Sequence, residues 1–119
     1  MKTPALPPTP SGFTRTVAER HFVCRDAEGE HPLRVEFGEP KQDVEVVNGT
    51  DWRCSMRITL GTQSTVRSIV GIDSLQSLQL AINLARAELE AIATRPGTAL
   101  LYLDEPVDTS QPDWQCTLL

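Results

Sequence analysis

The chain has 119 residues, 39% of them apolar and 23% charged, with a net charge of −5. This supplies one small core and excludes a wholly disordered chain. Only six aromatic residues and the acidic balance argue against a nucleic-acid binder, and no stretch reaches the roughly 20 apolar residues of a membrane span.

Residues 1–12 hold four of the nine prolines and lack the apolar run of a secretory signal. They are expected to be a disordered Pro-rich leader. Phe13 to Cys24, rich in Thr, Val and Phe, predicts a first strand, and Gly29 marks a turn within Asp26–Pro32. Leu33, Val35 and Phe37 alternate with polar residues in a second strand that Gly38 and Pro40 end. The acidic stretch Lys41–Thr50 closes on Asn48-Gly49, a pair suited to a tight turn.

The clearest strand follows. Trp52, Cys54, Met56, Ile58 and Leu60 share one face and Asp51, Arg53, Ser55, Arg57 and Thr59 the other, so one side is buried and one is wet. Gly61–Ser64 reads as a hairpin loop, and Thr65–Ile72 returns as a fourth strand with Val66, Val70 and Ile72 facing in. Asp73 caps a helix from Ser74 to Thr94, with Gln76 completing a capping-box-like pair. Its apolar stripe is Leu75, Leu78, Ile82, Ala85, Leu89 and Ile92. Arg95-Pro96-Gly97 stops it. Leu100, Leu101 and Leu103 form either an edge strand or a latch, and residues 104–119 read as an acidic, irregular tail apart from Trp114.

The expected fold is therefore α+β: a single domain over residues 13–103, with a four-stranded antiparallel sheet and one long C-terminal helix packed on one face. A fifth strand joins if the leucines near residue 100 pair at the edge. The second sheet face has no evident cover and is either exposed or a binding surface.

Charge is blocked along the chain. Residues 1–25 carry +3, 26–51 carry −6, 52–95 carry +2 and 96–119 carry −4. The acidic block Glu28, Glu30, Glu36, Glu39, Asp43 and Glu45 suits a basic protein partner. Arg53, Arg57 and Arg67, expected together on the wet face, offer an alternative partner-binding patch for an anionic group. No Gly-x-Ser-x-Gly elbow, Gly-rich phosphate loop or zinc spacing is present. Neither catalytic residues nor a cofactor or metal is expected. Cys24, Cys54 and Cys116 form no Cys-x-x-Cys pair, which fits a reduced cytoplasm.

Asp51-Trp52-Arg53-Cys54, followed by Gly71-Ile72-Asp73-Ser74-Leu75-Gln76-Ser77-Leu78-Gln79-Leu80-Ala81, resembles a family of small uncharacterised bacterial proteins. Their pattern is an Asp-Trp-x-Cys strand and a Gly-x-Asp-Ser-Leu-Gln-Ala-Leu helix start, with Ser77 here in place of the usual Ala. The resemblance spans residues 14–95 and implies a domain of unknown function. Small acidic bacterial α+β proteins of this kind are similar to immunity proteins. The expectation is a non-enzymatic cytoplasmic binding protein, monomeric or homodimeric, that neutralises a secreted antibacterial toxin by occluding a basic domain of it. The alternative is a homo-oligomeric assembly module of bacterial or phage origin without a toxin partner.

Overall fold

The computed structural model describes residues 5–119; the first four residues of the predicted leader lie outside the described residues. Seven strands form one antiparallel sheet: β1 (Thr16–Asp26), β2 (Gly29–Gly38), β3 (Lys41–Val46), β4 (Gly49–Leu60), β5 (Gln63–Gly71), β6 (Ala99–Tyr102) and β7 (Glu105–Pro106). The single α-helix, α1 (Ser74–Ala93), joins β5 to β6, and a short 3₁₀ helix spans Trp114–Thr117. This corrects the expected four- or five-stranded sheet with a C-terminal helix. The acidic stretch 41–46 is itself a strand, and the leucines at 100 and 101 pair with β1 opposite Cys24 and Val23. Two more strands therefore follow the helix.

β2 and β3 lie end to end along one edge of β4. Phe37 pairs with Met56 and Lys41 with Arg53, while β5 pairs along the opposite edge. The break between them is Gly38-Glu39-Pro40, where proline removes a ladder donor. A side chain at Gly38 would meet the hydroxyls of Ser55 and Thr14, so only glycine fits that crossing.

The helix face of the sheet holds Phe22, Cys24, Leu33, Val35, Phe37, Cys54, Met56 and Ile58, all buried. Helix α1 covers the β4–β5 side, and the 3₁₀ helix brings Trp114 and Leu118 into the same core. Residues 104–119, expected as a tail, are thus anchored by two core side chains.

Asp73 caps α1 as its sequence predicts: its carboxylate accepts from Gln76 N–H at 2.7 Å, and Gln76 Oε1 accepts from Ile72 N–H at 2.8 Å. The buried face of α1 is rotated from the expected stripe. Ser77, Ala81, Ala85, Leu89, Ile92 and Ala93 are buried, Leu78 and Ile82 only partly, and Leu75 is 61% exposed. Small residues win at the first turns because the backbones approach closely. A Cβ on Gly71 would lie 2.6 Å from Ser77 N.

The β5 faces also differ from expectation. The hairpin loop is only Gly61-Thr62, with Leu60 opposite Gln63, so Met56 faces Arg67 and Cys54 faces Ile69. Paired residues share a face. Val66 and Val70 accordingly turn to the outer face, each 39% exposed, and Ile72 beyond them is 73% exposed.

Candidate functional site

The outer face is built from the polar halves of β1, β2, β4 and β5, and its centre is interior rather than wet. Glu36 is 3% exposed. It accepts from Arg57 Nε at 2.6 Å and Nη2 at 2.9 Å, and from Thr16 Oγ1 at 3.0 Å, with Arg34 Nε at 3.4 Å. The Arg57 hydrogen bonds hold the Glu36 carboxyl below the ordinary glutamate range, against the opposing effect of burial. The same contact raises Arg57 above its ordinary value.

The cover that the sequence did not disclose is the chain's own residues 12–15. Phe13 lies with its ring centroid 4.2 Å from the Arg57 guanidinium carbon. Thr14 N–H donates to Ser55 Oγ at 3.2 Å, and Thr14 Oγ1 donates to the Glu39 carbonyl at 2.9 Å. Arg53, 6% exposed, donates through Nε to both Asp43 oxygens at 2.9 and 3.1 Å and through Nη1 to the Gly12 carbonyl at 2.8 Å. This strap makes Ser55 fully buried on a face the sequence alternation marks as wet.

The six candidate acids are not brought together. Glu30 to Glu45 runs along β2 and then β3, roughly 50 Å at about 3.3 Å per residue. Glu36 and Asp43 hold the interior arginines just described. Glu30 pairs with Arg25 at 2.7 Å, and Glu39 lies 3.3 Å from Arg15 and 3.6 Å from Lys41. Glu28 and Glu45 stand exposed at or near opposite hairpin ends.

The three candidate arginines do not form one patch either. Arg53 and Arg57 share the outer face, but Arg67 projects on the helix face and meets Glu88 of α1 at 2.8 Å. Its expected place beside Arg53 and Arg57 is corrected by the β4–β5 register.

A cleft lies elsewhere, at the C-terminal end. It is an open cleft of about 550 Å³ walled by Tyr102, Pro106, Pro112 and Trp114, with Glu105 and Asp108 among its lining residues. The segment 96–119 contains four acids and no Lys or Arg. The β6–β7 turn places Leu103 and Asp104 at φ 51° and 65°, and Asp113 before the 3₁₀ helix is at φ 55°. Non-glycine residues carry strain there of the order of 1 kcal/mol each. Asp108 accepts from the Ser110 hydroxyl at 2.5 Å and from Ser110 N–H at 3.0 Å, which keeps its carboxyl below the usual aspartate range. Arg20 closes the back of the wall, over the Tyr102 ring and donating to the Leu118 carbonyl.

Sequence reasoning missed this cleft. Its one signal was Trp114, a lone large apolar residue in an otherwise acidic run.

Among the described residues, no group of three or more His, Cys, Asp or Glu could hold a metal ion. His21 Nε2 lies 3.1 Å from Glu19 and His31 Nε2 lies 3.1 Å from Asp26. Burial pushes the Cys54 thiol up to about 11, away from the thiolate that reacts at neutral pH. No helix among the described residues is long and apolar enough to cross a membrane.

No curated protein and no solved structure matches the chain. A family model described as a domain of unknown function, DUF6968, matches residues 18–113, from β1 through to the residue before the 3₁₀ helix. The chain belongs to this DUF6968 family.

Proposed function

We propose that the chain is a non-enzymatic binding protein that docks a basic protein partner, and that its role is that of an immunity protein neutralising an antibacterial toxin in the cytoplasm. The observation that carries the reading is the C-terminal cleft. Its volume falls in the range of ligand sites, and Glu105 and Asp108 make no ion pair among the described residues, whereas nearly all the outer-face charge is matched within the chain. Aromatic and proline walls supply contact area, and Glu105, Asp108 and nearby Asp104 supply attraction for Lys or Arg side chains.

The test is co-expression with any growth-inhibiting protein encoded beside the gene, together with binding kinetics on the purified pair. Wild type is expected to restore growth. Asp104→Asn combined with Glu105→Gln is expected to slow association at low salt about tenfold while leaving the melting temperature unchanged. Full protection by that variant at an unchanged on-rate removes the cleft from the reading. Absence of protection by wild type removes the immunity role.

A further inference from the structure

The sheet ends in edges of very different character. β3 is six residues long with Lys41, Asp43 and Glu45 along it and Pro40 before it, and β7 is a two-residue strand containing Pro106. Charge, brevity and proline are the usual means of stopping edge-to-edge association. β5 is neither short nor interrupted by proline. It runs nine residues, Gln63–Gly71, without Pro or Lys, and its one charge, Arg67, is matched within the chain by Glu88 at 2.8 Å. All its ladder bonds go to β4; among the described residues no other backbone group bonds to it. Its outer face carries Val66 and Val70, each 39% exposed, with Ile72 at 73% just beyond.

We infer that β5 is an interface to a second copy of this chain, paired antiparallel about a two-fold axis through Ser68. The occupant follows from the strand's own sequence. In that register Val66 lies opposite the second copy's Val70 and Val70 opposite its Val66, so the two exposed apolar residues of each copy cover one another. Arg67 lies opposite the second copy's Ile69, and Ser68 meets Ser68. Moving the axis one residue, to Arg67, would set two arginines directly opposite each other, which like-charge repulsion disfavours.

The joined sheet keeps both helices on one face, and the C-terminal cleft, beyond β6 at the far edge, stays open in each copy. One strand edge with three apolar side chains covers an area at the low end of specific interfaces, so the dimer is a concentration-dependent one.

Sedimentation equilibrium of the full chain between about 5 and 200 μM tests this, spanning the range expected for a small interface. The expected result is a mass rising from 13.1 kDa toward twice that value. Val66→Glu with Val70→Glu is expected to hold the mass at the monomer value, because each glutamate then faces another. Val66→Glu with Val70→Lys is expected to restore the rise, because each glutamate then faces a lysine. The matched pair carries the same two surface replacements, so a folding defect would affect both variants, and a thermal melt of each identifies it. A wild-type chain that stays monomeric throughout overturns the proposal and leaves the edge to a different strand donor. A dimer that survives the Glu/Glu change, or is not restored by Glu/Lys, overturns it as well.

Discussion

The two faces of the sheet are held by different physics. The helix face is a dry apolar layer closed by Ala81, Ala85 and Leu89, each fully buried, with Trp114 and Leu118 sealing the β1–β6 side. The outer face is closed by charge: Glu36, Arg57, Arg34, Arg53 and Asp43, beneath a four-residue strap. The first face tolerates change in proportion to volume lost, and the second fails when a single partner is removed. A buried carboxylate without its arginine keeps its desolvation cost and loses the contact that offset it.

The largest expected effect is on the apolar face. Leu89→Ala should lower stability by about 3–5 kcal/mol in a urea melt, since the side chain is fully buried and the cavity has rigid walls. Ile82→Ala, at the centre of the stripe read from sequence but only partly buried, should cost about 1 kcal/mol. Equal losses at the two positions would contradict the rotated packing of α1.

The outer face comes next. Glu36→Gln should cost about 2 kcal/mol, less than a wholly buried pair because Arg57 is 30% exposed. The charge also gives a pH signature. Glu36 has a lower pKa folded than unfolded, so its contribution is present above the unfolded value near 4.5 and is lost as pH falls through the folded value. Wild type should therefore lose stability below about pH 4.5, and Glu36→Gln should flatten that part of the profile. An unchanged slope would mean that the Arg57 contact does not favour the ionised carboxylate.

The smallest effect is on the strap. Phe13→Ala removes a half-buried ring and its cation–π contact, and should cost about 1 kcal/mol while raising amide exchange at Ser55. No change in exchange at Ser55 would mean that the strap does not shield it.

How far the sequence discloses this arrangement depends on the range of each signal. The Asp73 cap and Gln76 are three residues apart, and their geometry is what the local pattern implies. The alternation of β4 likewise sorts Cys54, Met56 and Ile58 from Arg53, Ser55 and Arg57. Alternation cannot say that Ser55 and Arg53 are covered, because Thr14 and Gly12 sit 41 residues away. In β5 the valines look like an inward face, but the two-residue loop fixes parity and sends them out. The acidic block is contiguous in sequence and dispersed in space, because it lies along strands rather than around a bend. The cleft is assembled from β6, β7 and the 3₁₀ helix, none of which carries a strong local signature.

The pairing of β1 with β6 sets the order in which the chain can become itself. Val23 meets Leu101 across 78 positions, and Arg20 reaches the Leu118 carbonyl across 98. The β1–β2 and β4–β5 hairpins need only neighbouring sequence, so they form early on a nascent chain. Phe22 and Cys24 then wait, one edge open, until Ala99–Leu101 become available to pair with β1. Contacts of such separation slow folding and lengthen the time an apolar strand is exposed to other chains. Synthesis at lower temperature or with chaperones in excess should raise the yield of folded protein, since β1 stays open until β6 is free to pair with it.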